Sequence, residues 1–197
     1  VSNTQLNDPK RGFSFNHDGP LDMRMDNINT KLTAETIVNE YDEKELSDIF
    51  FYYGEERNSR KIANSIVEYR KKKKIGSTKM LSDIVQKINK YKFKHPATRV
   101  FQALRIVINE ELKELEEILK ISLEILTKNA RIVIVAFHSL EDKIIKNFFK
   151  KNGDKNRNDD KKNVFRIITK KPITPSSEEI KINPRSKSAK LRVAEKI

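Results

Sequence analysis

Apolar positions along the chain fall into blocks with different periods. Residues 1–32 hold no sustained period, and turn formers at Asn7-Asp8-Pro9, Gly12 and Asp18-Gly19-Pro20 predict an ordered loop there. Helical spacing follows. Asp42 with Glu45 reads as a capping box, and Leu46, Ile49 and Phe50 form a stripe that stops before Gly54. From Glu55 to Lys73, Ile62, Ala63, Ile66 and Val67 share one face, with Gly76 as a stop. Ser77 or Thr78 opens a further helix carrying Leu81, Ile84, Val85 and Ile88. Together these segments predict a small helical unit.

His95-Pro96 restarts the chain, with Pro96 suited to a first helical turn. Val100, Phe101, Leu104, Ile108, Leu112, Leu115 and Leu119 predict one long helix. Ile132 to Phe137 is a continuous, largely β-branched apolar run, which predicts a strand buried on both faces in a parallel sheet. Ser139 with Asp142 signals the next helix, carrying Ile144, Ile145, Phe148 and Phe149. Residues 153–163 are charged and of low complexity, predicting a mobile loop. Val164 to Thr169 and Leu191 to Ile197 alternate as strands that would pair antiparallel. The order predicts an α/β fold: the carboxyl-terminal part of an open, Rossmann-like sheet, preceded by a helical insert. None of the five glycines builds a strand-to-helix phosphate cradle.

Composition adds a partner class. Lys and Arg number 41 against 28 Asp and Glu, a net charge of +13 that favours an anionic partner, nucleic acid first. A biased genome would raise the same count without selection for binding, so the charge is supporting evidence. The chain has no cysteine, which excludes disulfides and thiolate metal sites and suits a reducing, cytoplasmic setting. His17, His95 and His138 lack metal-ligand spacing, so no metal is expected. No apolar run approaches the roughly 18 residues of a membrane span, and no membrane partner is expected.

Three stretches carry candidate chemistry. In RGFSFNHDGPLDMRMD, residues 11–26, Phe13, Phe15, Leu21, Met23 and Met25 are too apolar for a free loop. Asp22, Arg24 and Asp26 alternate with them, either as local ion pairs in a solvated loop or as charges fixed against a ligand. In FHSLED, residues 137–142, Ser139 and Asp142 read as caps, while His138 stands at the strand's carboxyl end, where open sheets bind ligands. In HPATRVFQALR, residues 95–105, Arg99 and Arg105 suit phosphates and Gln102 an amide contact, or the three belong to a solvated helix face. Lys71 to Lys74 form one basic cluster, and Arg185, Lys187, Lys190 and Arg192 another, each readable as a solvated surface.

Taken together, QLNDPKRGFSFNHDGPLDMRMD, YGEERNSRKIANSIVEYR, KFKHPATRVFQALRIVINEEL, FHSLEDKIIKNFF and NPRSKSAKLRVAE resemble the bacterial methyltransferase family called RsmH or MraW. The resemblance implies an S-adenosylmethionine-dependent enzyme that methylates the exocyclic N4 amine of a cytidine in the decoding region of small-subunit ribosomal RNA. In its terms residues 1–32 form the active-site signature loop and 33–92 a helical substrate-binding insert. Residues 93–197 form the carboxyl-terminal part of the methyltransferase domain, with the mobile loop at 153–163. Family members begin with a strand and a glycine-rich turn, and Val1-Ser2-Asn3 resembles a later stretch of them. The chain is therefore expected to lack the family's amino-terminal part and most of the cofactor site, with Gln5 left as a cofactor contact and a separate amino-terminal half as a partner. By their own chemistry Asp22 and Asp26 are candidates to orient the amine and His138 to line the pocket. Arg24, Arg99, Gln102, Arg105, Arg185 and Lys187 would meet the RNA of the small subunit. Two functions stand side by side: a methyltransferase, inactive as this chain alone, or an RNA-binding remnant unable to hold cofactor.

Overall fold

A computed structural model describes residues 3–90, 95–153 and 164–197. The loop expected at 153–163 lies outside these residues apart from Gly153, as do Val1, Ser2 and residues 91–94. The chain divides into two compact units, Val1–Glu111 and Leu112–Ile197.

The first unit is helical. It holds α1 (Asn3–Asn7), a 3-10 turn (Pro9–Arg11), α2 (Ala34–Glu40), α3 (Glu43–Tyr52), α4 (Ser59–Arg70), α5 (Thr78–Ile88) and α6 (Thr98–Ile108). Local chemistry starts α3 and α5 where expected, while α4 begins at Ser59 and not at Glu55, and α1 and α2 fall where no helix was expected. Asp42 Oδ1 accepts from Glu45 N–H at 2.7 Å while Glu45 Oε2 accepts from Asp42 N–H at 2.8 Å, closing the capping box of α3. Ser77 caps α5 by accepting from Met80 N–H. The α3 stripe of Leu46, Ile49 and Phe50 packs into a core shared with α2, α4, α5 and α6. Gly54, in the turn after α3, permits a close backbone approach to α6: a Cβ there would lie 2.6 Å from the Arg99 carbonyl oxygen.

A further element differs from its expectation. The long helix drawn from Val100 to Leu119 breaks after Ile108 and resumes as α7 (Glu111–Ile125). Glu110 takes a left-handed φ of +47°, and the Asn109 side chain donates back to the Arg105 carbonyl at 2.8 Å, the local competition with helical hydrogen bonding that asparagine favours. Apolar spacing continues across the break, so periodicity alone could not reveal it. Pro96 likewise precedes α6 instead of opening it, with Ala97 at the cap position.

The second unit contains β1 (Arg131–Ala136), α8 (Ser139–Asn152), β2 (Phe165–Ile167), α9 (Ser177–Ile182), a 3-10 segment (Pro184–Ser188) and β3 (Lys190–Lys196). The described sheet has the order β1-β3-β2, and both pairs are antiparallel, Val133 facing Val193 and Arg166 facing Glu195. Antiparallel pairing of the two carboxyl-terminal strands is thus present. The buried parallel strand expected at Ile132 to Phe137 is corrected: β1 pairs antiparallel at an edge, and Val133 and Val135 are 56% and 45% exposed. Ile132, Ile134 and Ala136 face the core on its other side. A doubly apolar strand tells which residues could be covered, not what covers them.

The core of this unit is formed by Leu119, Ala136, Ile145, Phe149, Phe165 and Ala194. Beside it Asp142 accepts from Arg192 Nε at 2.7 Å and from Lys190 Nζ at 3.1 Å. The solvated basic cluster expected from Arg185 to Arg192 is therefore divided, because Arg192 is buried against a carboxylate while Arg185 and Lys187 lie exposed on the 3-10 segment.

Candidate active site

The loop at residues 11–26 is built inward from its apolar positions. Leu21 and Met23 are each 1% exposed, and Phe13, Phe15 and Met25 pack on the same core. The residues between them, Asp22 and Arg24, stay partly exposed and Asp26 fully so. Gly12 sits at φ +69°, and any Cβ would lie 2.1 Å from the Pro20 carbonyl oxygen, so this crossing of the loop over itself admits only glycine. The Asp18-Gly19-Pro20 turn docks on the start of α5. Asp18 Oδ1 accepts from Lys79 N–H at 3.1 Å, and the Gly19 carbonyl accepts from Thr78 N–H at 2.9 Å. Hydrogen bonding by Ser77 first, then by Lys79 N–H, holds the Asp18 carboxyl below its ordinary range.

Met23 stands at the centre with a left-handed φ of +62°, a conformation that costs a bulky side chain about 1–3 kcal/mol and persists only where neighbours hold it. They hold it on both sides. Met23 N–H donates to the Arg11 carbonyl at 3.1 Å, and its own carbonyl accepts from Asn109 Nδ2 at 2.8 Å. Asn109 Oδ1 in turn accepts from Met25 N–H at 2.7 Å, while Arg11 Nη2 donates to the carbonyls of Arg24 and Met25, each at 2.9 Å. Asn109 and Arg11 are the residues that sequence reasoning missed. The one available signal was an asparagine where α6 ends.

On this frame Arg24 grips Asp22 with two bonds, Nε to Oδ1 at 2.7 Å and Nη2 to Oδ2 at 2.8 Å, and donates through Nη1 to the Thr30 carbonyl at 2.9 Å. The hydrogen bond from Arg24 keeps the Asp22 carboxyl below its usual range, against a smaller opposing effect of burial. Asp26 accepts from Ile28 N–H at 2.8 Å, Asn29 N–H at 3.1 Å and Asn29 Nδ2 at 2.7 Å, which lowers its carboxyl as well. Local ion pairing, one of the two readings the sequence offered, is present, and the pair holds the Asp22 carboxylate in place.

Several partner residues are also engaged locally. Gln102 Nε2 donates to the Tyr53 carbonyl at 3.1 Å, and Arg105 holds Glu111 with bonds of 2.6 and 2.9 Å. Arg99 is half-buried on α6. His95 stacks on Phe15 with ring centroids 4.0 Å apart, and burial lowers its pKa, which favours the neutral ring. Gln5 lies half-buried on α1.

In the second unit the expected cap moves by one residue. α8 begins at Ser139, so His138 is the N-cap, its Nδ1 accepting from Glu141 N–H at 3.4 Å while Glu141 Oε2 accepts from Phe137 N–H at 2.8 Å. Ser139 and Asp142 do not form the box. Asp142 turns toward β3 because two cations wait there, and although burial is the largest single influence on its carboxyl, the bonds from Arg192 and Lys190 together outweigh it and lower the pKa.

Chemically, the loop offers two ionised carboxylates on an immobile backbone. Such groups accept hydrogen bonds from an amine and orient it, and at neutral pH they hold no proton to donate. Among the described residues, no helix is long and apolar enough to cross a membrane.

The model of the MraW methylase family matches residues 1–197. A Ribosomal RNA small subunit methyltransferase H of Sulfurihydrogenibium sp. (strain YO3AOP1) is 53% identical over 192 residues, covering 95% of the chain and 63% of the relative. Proteins of the same name from Carboxydothermus hydrogenoformans and Rickettsia akari are 49% and 52% identical, each over 100% of the chain and 67% and 68% of the relative. The chain thus spans roughly two-thirds of the length of these curated relatives. One expectation is corrected: the family model is matched from the first residue to the last, so the reading of a chain lacking the family's amino-terminal part is withdrawn.

Proposed function

The chain belongs to the MraW methylase family, and from that premise we propose that it transfers a methyl group from S-adenosylmethionine to the exocyclic amine of a cytidine in the decoding region of small-subunit ribosomal RNA, in the cytoplasm. The observation that carries this reading is the loop clamped at Met23 by Asn109 and Arg11, which presents the ionised Asp22 and Asp26 on a frame without slack. Amine methylation needs no covalent intermediate. It needs the amine nitrogen aligned with the methyl group and its proton passed to solvent or a carboxylate. Asp22 and Asp26 accept hydrogen bonds from the amine and so direct its lone pair, while Arg24 keeps Asp22 in place.

The cofactor supplies the methyl group. Gln5 is assigned a polar contact to it through its carboxamide. His138 Nδ1 is engaged in capping α8. RNA contact is assigned to Arg99, Arg185 and Lys187; Gln102 and Arg105 act by tying α6 to Tyr53 and Glu111. Residues 33–92 serve as the helical RNA-gripping insert. β1 and β2, both antiparallel to β3, run in the same direction, which suits the margin of a Rossmann-like methyltransferase sheet.

The test is transfer of labelled methyl to small ribosomal subunits lacking the modification. Asp22→Asn and Asp26→Asn should each lower kcat about a hundredfold with RNA affinity unchanged. Because both carboxyls sit below their ordinary range, the rate should stay flat through neutral pH and fall only in acid, below about pH 4. RNA binding with no transfer by the unmodified chain would mark an RNA-binding remnant and reject the enzyme.

A further inference from the structure

Where α3 ends and α4 begins, the first unit carries a groove of about 400 Å³. Phe51 and Tyr52 stand on one side of it, 54% and 63% exposed, with ring centroids 5.2 Å apart and planes at 83°. They fall off the buried stripe of α3, which Leu46, Ile49 and Phe50 already fill. Arg57, Arg60 and Lys61 supply three exposed cations to the same groove, and its one acid, Asp48, faces Lys44 at 4.0 Å. Ser47 and Ser59, buried and 3.3 Å apart through their hydroxyls, close the floor.

Two exposed aromatic rings beside three cations are complementary to one class of polymer. Paired bases hide their faces inside a duplex, so aromatic platforms serve strands whose bases are unstacked, while cations track the phosphates. We propose that this groove binds a single-stranded RNA segment of the substrate, bases stacking on Phe51 and Tyr52 and phosphates meeting Arg57, Arg60 and Lys61. The inference rests on the reading of the protein as acting on RNA and adds to it a second contact surface, separate from the loop that orients the amine.

Fluorescence anisotropy with a labelled single-stranded oligouridylate of about 12 nucleotides tests it, alongside a duplex of equal length. The double variant Phe51→Ala/Tyr52→Ala should weaken single-strand binding about tenfold or more and leave duplex binding unchanged. Arg60→Gln/Lys61→Gln should make the salt dependence of single-strand binding shallower by about 1.4 in log–log slope. Phe51→Leu/Tyr52→Leu retains apolar bulk without a π-face and should lose affinity likewise, which keeps the test valid if the alanine pair misfolds. Unchanged single-strand affinity in the leucine pair would overturn the proposal, as would equal losses on the duplex. Competition by polyglutamate as strong as by RNA would also overturn it, in favour of an acidic protein segment. Methyl transfer separates the two readings: transfer with unaltered groove-variant binding sinks the groove alone, and loss of binding in the variants of a chain that transfers nothing sinks the enzyme alone.

Discussion

The two units keep their shape by different means. In the first, helices and the 11–26 loop bury a common apolar core, and the loop is tied down by amide and guanidinium groups on backbone carbonyls: Asn109 to Met23 and Met25, Arg11 to Arg24 and Met25. In the second, a smaller core lies on one side of the sheet, and charge does the tying: Asp142 with Arg192 and Lys190, Glu195 with Arg131 and Arg166. The outer side of β1 leaves Val133 and Val135 exposed, and Phe137 follows them. Amides and guanidiniums do not titrate in acid, whereas carboxylate clamps do.

The largest expected effect breaks the first unit's core. Phe50 is fully buried between helices, and Phe50→Ala should remove about 3–5 kcal/mol of stability. Hydrogen exchange should then show protection lost across α3, α4 and α6 and retained in β3. Equal loss in β3 would mean the units unfold as one and would end the comparison.

Asp142→Ala comes next, at about 3 kcal/mol, because it strands the buried Arg192 beside Lys190 without a counter-charge. Exchange should rise in α8 and β3. The pH dependence has a definite sign: the folded-state pKa of Asp142 is lowered, so its stabilisation is present above the unfolded value near pH 4 and is lost as pH falls through the folded value. Glu195, lowered by Arg131 first and then Arg166, acts in the same direction. β3 should accordingly lose protection in acid before α4 does.

Asn109→Ala leaves the Met25 N–H and the Met23 carbonyl without their partner and should cost about 2 kcal/mol, with a fall in kcat larger than any change in KM. A variant with unaltered kcat would show that the loop keeps its form through Arg11 alone. The smallest effect belongs to Arg166, whose side chain is 59% exposed: Arg166→Ala should change stability by less than about 1 kcal/mol. A thermal melt that shifts as far as it does for Asp142→Ala would show that the two charge clusters of the second unit act as one.

Much of the helical unit could be read from residues three or four apart. Asp42 with Glu45, Ser77 at the cap of α5, and the stripes of α3, α4 and α5 are local statements, and the structure places each where the spacing does. The alternation of Leu21, Met23 and Met25 with Asp22, Arg24 and Asp26 likewise marked which loop residues go inside. The partners of the loop charges were not legible, because Arg24 could have met a phosphate as readily as Asp22.

The sequence by itself determined the caps of α3 and α5, the helical and extended periods, the inward positions of the loop and, through its long motif blocks, the family. These depend on interactions within one turn of chain, whose geometry the backbone dictates. Tertiary structure alone decided the pairings across distance. Asp18 settles on α5 sixty-one residues later, Asn109 reaches back eighty-six residues to Met23, and Asp142 meets Arg192 fifty residues on. It also decided that one face of β1 stays uncovered. The physical reason is the same in each case: a polar group has many sterically possible partners along the chain, and only the packing of the apolar core brings one of them within hydrogen-bond distance.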